Sequence, residues 1–355
     1  MTAATLATAR KVTPTGVLAA PHDLPRDEWL SLRKTGIGGS DVAALLGMSK
    51  YASPYELYLE KRGELPDFPR PEFLERAAMW GHFHEPLIAA EFGRLHGLRT
   101  RRVGLIRHES DPWRLANLDR QVHGCPDGPC LLEIKNRSAW KEAEWGESGD
   151  PEGVPDSEAL QTHWYIGVTG YSHAHVGVLI NGNDDRYYRV GRDEALLGDI
   201  VAAAGLFWRR VLDGNPPPVD GSDASTDLLK ILWTAEQDSE LVVSPAEVTP
   251  LLAEVERLKA DAGELDERLA LAQNRLRVLL GDREVAIADG EPLFSLKQNG
   301  TFSAKRFRQA HPDLAAEYEH LVPAIDAKAL QADHPDIQRA FRARVLRIPT
   351  RGDSA

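Results

Sequence analysis

Cysteine is almost absent: Cys125 and Cys130 are the two in a chain of 355 residues. They stand in the turn-rich piece HGCPDGPCLLE at C-x4-C spacing with no second cysteine pair, so a structural zinc site is not expected. Long apolar runs are lacking as well. No stretch reaches the roughly 18 residues of a membrane-spanning helix, so no membrane partner is expected. The opening MTAATLATARKVTPTGVLAAPHD has no continuous apolar core followed by a cleavage site and reads as carrying no export signal. With so few cysteines, the cytoplasm is then the expected compartment. Positive charge is in deficit: 42 Lys and Arg against 54 Asp and Glu give a formal charge of −12. That argues against a protein that coats nucleic acid non-specifically. An enzyme with a local basic groove stays allowed, because phosphate contacts depend on where the charge sits.

What is present is enough for a folded enzyme. The apolar fraction of 42% can build a core, and the length suits one large domain or two ordinary ones. Basic runs exist locally. RLHGLRTRRVGLIRH carries Arg94, Arg99, Arg101, Arg102 and Arg107, and IQRAFRARVLRIPTR lies near the C-terminus. Most of these arginines read as solvated surface charge, with a groove as the alternative.

Residues 1–24 are small, polar and broken by Pro, and read as a flexible lead. From 25 to 63 the pattern is helical, with a glycine turn in LRKTGIGGSDVAALLG. Ser40 and Ser53 stand at N-cap positions, Gly47 and Gly63 at C-cap positions, and Pro54 at a first helical position. PEFLERAAMWGHFHEPLIAAEFGRLHG reads as a long helix with a break near Gly81. Three strands follow, RRVGLIRH, RLANLDRQVH and CLLEIKNRS, separated by the turns ESDP and GCPDGP. An acidic Gly-Pro loop, WGESGDPEGVPDSE, precedes a helix over EALQTHWYIGVTG. Two more strands, AHVGVLING and DRYYRVGR, lead to an amphipathic helix over 193–213. Leu251, Val255, Leu258, Leu265, Leu269, Leu276 and Leu279 recur at helical spacing and mark a long helix over 246–281. It can form a short coiled coil or pack on its own domain. EVAIADGEPLFSLKQNG reads as a hairpin, and the end of the chain as helical and basic.

The chemistry-bearing feature is an Asp on one strand, E-x-K on the next and a Glu on a preceding helix. Glu133 and Lys135 are two apart on a strand and share a face, while Ile134 points into the core. If the two strands pair through the turn at 124–129, Asp119 reaches the same patch, and Glu85 in GHFHEP can close it. Carboxylates of this kind bind Mg2+ and leave coordination positions for water and phosphate. A neighbouring lysine can orient the water and stabilise the charged transition state. The plain alternative is a surface ion pair, which E-x-K by itself more often signifies. Asp127 in CPDGPC reads as turn chemistry.

The string LRKTGIGGSDVAALLG, SPYELYLEKRGE, MWGHFHEPLIAAEFG, NLDRQVHG, LLEIKN, LQTHWYIGVTG and VGVLINGND, taken in order, resembles the YqaJ-like viral recombinase family, relatives of phage lambda exonuclease. The resemblance covers about residues 25–215 and more loosely the helix and hairpin to about 310. It implies an α/β (α+β) fold: a restriction-endonuclease-like PD-(D/E)XK core with a central mixed β-sheet flanked by helices, and a C-terminal helical and hairpin extension. The expected division is a lead over 1–24, a nuclease domain over 25–220, the extension over 221–310 and a basic helical tail over 311–355.

By the same resemblance Asp119 and Glu133 are metal ligands, with the Ile134 backbone carbonyl beside them. Lys135 is the catalytic lysine, and Glu85 completes the metal site directly or through water. Gln161 matches a glutamine that contacts the scissile phosphate or the nucleophile. Arg33 and Ser40 fall where the 5′-terminal phosphate binds, so the glycine turn serves as both a helix start and an anion pocket. Asp41 there would favour the helix dipole or pair with a basic side chain. The cofactor implied is Mg2+, with Mn2+ as a substitute. The implied activity is 5′→3′ digestion of linear double-stranded DNA from its ends. It would feed a single-strand annealing protein in phage or prophage recombination within the bacterial host cytoplasm. A homo-oligomeric ring trimer is implied too, and would gather arginines in its channel while leaving an acidic exterior that includes the loop at 144–158. The family often has Asp-Gly at the metal aspartate, whereas this chain has Asp119-Arg120, whose arginine should point away from Asp119. Other readings are a PD-(D/E)XK nuclease of another kind, such as a defence endonuclease, and a non-catalytic DNA-end or partner-binding module that uses the helix at 246–281.

Overall fold

Two of the three strands expected between residues 101 and 138 are each cut in two, and the cut distributes the pieces between two sheets. The structure, a computed structural model, describes residues 10–66, 72–150, 152–233, 240–297, 303–318 and 327–335. It divides into two compact units, Met1–Trp233 and Thr234–Ala355. In chain order the first holds β1 (Gly16–Ala20), α1 (Arg26–Arg33), α2 (Gly39–Leu45), α3 (Pro54–Arg62), α4 (Glu72–His96), β2 (Arg99–Arg101), β3 (Leu105–His108), β4 (Leu115–Ala116), β5 (Arg120–His123) and β6 (Cys130–Arg137). A 3-10 turn (Ala139–Glu144) leads on to α5 (Asp156–Thr169), β7 (His173–Ile180), β8 (Asp184–Gly191), α6 (Glu194–Asp213) and α7 (Asp223–Ile231). The first unit thus runs past residue 220 and keeps α7, whose Leu228 is buried in the core.

The main sheet has the order β2-β5-β6-β7-β8. All of its neighbours are antiparallel except β6 and β7, which are parallel and joined through α5. A parallel pair needs such a crossover, and the helix it brings covers one face. On that face Leu131, Ala174, Val176 and Val178 pack with Trp164 and Ile166 of α5 and Ile200 of α6. On the other face α4 lays Ala89 and Phe92 against Val122, Cys130 and Leu132. The expected mixed sheet flanked by helices is therefore present. A smaller antiparallel sheet, β1-β3-β4, stands beside it.

Several local expectations need correction. The lead is not structureless over residues 10–24: β1 pairs with β3, Val17 opposite Arg107. Residues 1–9 lie outside the described ones. Helix α4 has no break at Gly81 and runs unbroken through Pro86. One missing proline N–H removes a single helical bond, while Ile88, Ala89 and Phe92 are buried and anchor the helix. The acidic loop is anchored to the fold at its start: Trp145 is buried and the Gly146 carbonyl accepts from Tyr188 Oη at 2.7 Å. Ser53, in contrast, caps α3 as expected, its hydroxyl accepting from Glu56 N at 3.1 Å, and Gly63 closes that helix at φ 69°.

In the second unit α8 (Pro245–Leu280) is followed by the hairpin β9 (Val285–Ala288) and β10 (Glu291–Ser295). Short helices α9 (Ala304–Ala310), α10 (Pro312–Tyr318) and α11 (Ala327–Asp333) follow. Leu258, Leu265 and Leu279 of α8 are 50%, 60% and 77% exposed, so the apolar stripe read from the sequence is uncovered among the described residues. Of the expected tail, 311–355, residues 319–326 and 336–355 lie outside the described residues. No described helix is long and apolar enough to cross a membrane.

Candidate active site

Asp119 closes the short link, Asn117–Asp119, by which the chain leaves the small sheet at β4 and enters the main sheet at β5. β5 runs antiparallel to β6 with Arg120 opposite Leu132. The link therefore ends beside the middle of β6, where Asp119 Oδ2 accepts from the Ile134 backbone N–H at 2.7 Å. Alternation along β6 turns Glu133 and Lys135 to one side. Lys135 Nζ donates to Glu133 Oε1 at 2.7 Å and to Gln161 Oε1 at 2.9 Å. Gln161, on α5, donates from Nε2 to Glu133 Oε1 at 2.7 Å and to Tyr165 Oη at 3.1 Å. Gln161 is half-buried and tied into the acidic cluster.

A cavity of about 190 Å³ opens over this cluster, lined among others by Arg33, Ser40, Asp119, Glu133, Gln161 and Tyr165. Two glycines let its walls approach. A Cβ on Gly36 would sit 2.1 Å from the Trp113 carbonyl oxygen, and one on Gly39 would sit 2.5 Å from the Tyr165 ring. Side chains at either place would push α2 off α5 and the small sheet. Helix α2 begins at Gly39, two residues earlier than a Ser40 cap requires, and Ser40 does not cap it. Asp41 does so instead, its Oδ2 accepting from Gly38 N at 2.8 Å. The reason is that Arg33 Nη2 takes the Ser40 hydroxyl at 2.9 Å and also meets Asp41 Oδ1 at 2.7 Å. Lys61, wholly buried at its side chain, completes the set at 2.5 Å from Asp41 Oδ2 and 3.1 Å from the Arg33 carbonyl. Asp41 thus both serves the helix N-terminus and pairs with basic side chains. Burial alone would raise its carboxyl, but Lys61 and then Arg33 outweigh that and hold it below the usual carboxylate range.

Glu85 lies outside the cavity lining. Its Oε1 accepts from Arg120 and, at 3.3 Å, from Arg102. Arg120 is thereby held on Glu85, and its Nη1 also donates to the Asp119 backbone carbonyl at 2.6 Å. Arg101 is occupied by Gln121 Oε1 at 2.8 Å. Tyr165, Lys61 and Asn117 were missed in the sequence. Tyr165 carries one usable signal, since it sits one helical turn after Gln161. Lys61 carries none, because a lysine in the last turn of a helix ordinarily faces water.

The electrostatics fit a bound cation. Burial first, and then the Glu133 carboxylate, push the Asp119 carboxyl well above its usual range, with Lys135 pulling the other way. Glu133 Oε2 is buried without a hydrogen-bond partner among the described residues. A buried oxygen of this kind is costly unless something binds it. Two carboxylates around an orphaned oxygen are a donor set for a hard divalent ion. On the reverse side of β6, Cys125, Cys130, His173 and His175 come together, their ligand atoms all within 4.8 Å of one another. Counted as cysteines alone, C-x4-C has no second pair. The two histidines come from a strand 48 residues beyond Cys125.

The chain is similar in sequence to known proteins. Residues 28–172 match the YqaJ-like viral recombinase domain, a span holding every cavity residue named above. The protein YqaJ of Bacillus subtilis (strain 168) is 31% identical over 303 residues, covering 84% of this chain and 92% of the relative. Among solved structures, an alkaline exonuclease (LHK-Exo) from Laribacter hongkongensis is 22% identical over 53% of this chain and 94% of its own, with a TM-score of 0.43. A phage related exonuclease from Haemophilus somnus 129PT is 12% identical over 50% of this chain and 96% of its own, with a TM-score of 0.35. The identity to YqaJ spans most of both chains, and the protein belongs to the YqaJ-like viral recombinase family.

Proposed function

We propose that the protein is a Mg2+-dependent deoxyribonuclease that digests linear double-stranded DNA from its ends in the 5′→3′ direction. Its product strand would be handed to a single-strand annealing protein in phage-type recombination. The observation that carries this reading is the meeting of Asp119 and Glu133, with Lys135 on Glu133, in a cavity also lined by Arg33 and Ser40.

Asp119, Glu133 and the Ile134 carbonyl would hold the ion, with Glu85 contributing directly or through water once its arginines yield. A divalent cation bound there neutralises charge building on the phosphate and acidifies a water molecule; Mn2+ offers the same chemistry. Lys135 Nζ, fixed by Glu133 and Gln161, orients that water and sets a positive charge against the pentavalent transition state. Gln161 steadies both partners and contacts the scissile phosphate. At the other end of the substrate, the 5′-terminal phosphate lies between the Arg33 guanidinium and Ser40. Arg33 gives one nitrogen to Ser40 and Asp41, and the fork of five N–H donors retains capacity for an anion. A homo-oligomeric ring would collect the exposed Arg101 and Arg102 around the duplex and reconcile the formal charge of −12 with DNA binding.

The test is hydrolysis of linear duplex DNA with Mg2+ by wild type and Lys135→Ala. The variant should lose about 10²–10³-fold in rate. Equal rates would remove the mechanism, and cutting of covalently closed circles would make the enzyme an endonuclease instead.

A further inference from the structure

The Cys/His cluster on the α4 side of the main sheet has no part in that chemistry, and its geometry is that of a ligand set. Cys125 lies in the turn after β5 and Cys130 opens β6. His173 and His175 are two apart on β7 and so share a face. The parallel register, Leu131 beside Ala174 and Leu132 beside His175, puts that face level with Cys130. We propose that Cys125, Cys130, His173 and His175 form a closed tetrahedral Zn2+ site that pins the β5–β6 hairpin to β7.

Four observations support the assignment. Zinc with two sulfur and two nitrogen ligands separates its donors by about 3.3–3.8 Å, given bond lengths of about 2.3 and 2.0–2.1 Å. Cys125 Sγ already stands 3.3 Å from His173 Nε2, and all four donors fit within 4.8 Å. The far nitrogen of His173 is held, its Nδ1 lying 3.0 Å from Ser172 Oγ. That outer contact is what orients a metal-binding imidazole and fixes its tautomer. His175 Nε2 is buried without a hydrogen-bond partner among the described residues, the condition a metal relieves. Finally, the charges balance. Two thiols release two protons to solvent on binding, and two thiolates cancel one Zn2+, so the half-buried site gains no net charge. Soft sulfur donors also select against Mg2+.

Protein–metal stoichiometry tests this with the full chain. Chelator-stripped, reduced protein is reconstituted with Zn2+, and in parallel with Co2+, then freed of excess metal. About one Zn2+ should remain per chain, and the Co2+ form should show thiolate charge-transfer and tetrahedral d–d absorption. Cys130→Ser/His175→Gln should lose both signals, whereas Asp119→Asn should retain them. The wild-type Co2+ spectrum decides the matter even if the double variant folds poorly. Absence of charge-transfer absorption in the reduced wild-type chain overturns the site. So does a zinc ion that Asp119→Asn loses and Cys130→Ser/His175→Gln keeps, because that ion belongs to the carboxylates. None of these readouts depends on nuclease activity.

Discussion

The two faces of β6 carry opposite kinds of donor. Toward α5 the strand presents Glu133 and Lys135, joined by Asp119 and Gln161 beside a cavity. Toward α4 it begins with Cys130, packed with Phe92, Leu132 and the Cys125, His173 and His175 cluster. One face is hard oxygen with an orphaned carboxylate and an opening to solvent; the other is soft sulfur and nitrogen already crowded to ligand distance. Strand alternation keeps them apart, so a single eight-residue segment presents two kinds of donor on opposite faces. An open site suits a reaction, and a closed one suits a clamp.

The largest effect that sharpens this contrast is on the oxygen face. Glu133→Gln keeps the side-chain shape but removes a charge from the cluster, and DNA hydrolysis with Mg2+ should fall by about 10²–10³-fold. The zinc content and the Co2+ spectrum of the same variant should not change. Loss of both would mean that the two faces are not independent.

How much of this contrast is legible in the chain depends on whether a group's partners are near it in sequence. Glu133, Lys135 and Asp119 are readable because two strands joined by a short turn align them. Ser53 and Gly63 are readable because a helix end is a local problem. The split of RLANLDRQVH between two sheets is not, since nothing local tells a strand to change partners at Asn117. Cap chemistry at residue 40 misleads for a related reason. Arg33 claims the Ser40 hydroxyl, and Asp41 takes over the cap because Lys61, twenty residues on, neutralises it. The zinc ligands are hidden by the same distance: C-x4-C is half a site until β7 adds two histidines.

A second effect, on stability and not on rate, separates framework from chemistry beside the oxygen face. Asp41→Asn leaves the buried Lys61 ammonium without its carboxylate, and breaking such a pair costs about 3–5 kcal/mol. Denaturation at pH 7 should show that loss, with zinc binding unchanged. The carboxyl of Asp41 sits below its usual range in the folded chain, so the stability it contributes is present above the unfolded value near pH 3.9. That contribution disappears as pH falls through the folded value. The gap between wild type and variant should therefore narrow on acidification below about pH 4. A gap that is constant with pH would mean that Asp41 acts through packing and not through charge.

The smallest effect concerns the substrate end of the cavity. Arg33 stacks its guanidinium over Trp29, 5.1 Å from the ring centroid, and meets Asp41 and Ser40 through one nitrogen. If it also binds a terminal phosphate, Arg33→Ala removes one charge-assisted contact of about 1.5–3 kcal/mol from phosphorylated ends only. Digestion of 5′-phosphorylated duplex should then slow by about tenfold or more relative to 5′-hydroxyl duplex, while the absolute rate on hydroxyl ends stays near wild type. Because Arg33 also neutralises Asp41, some stability will be lost as well, but a folding defect lowers both rates together and leaves their ratio alone. The ratio is thus the informative quantity. If it keeps its wild-type value, Arg33 is a strut for Asp41, and the oxygen face of β6 meets DNA through Asp119, Glu133 and Lys135 without reading the end.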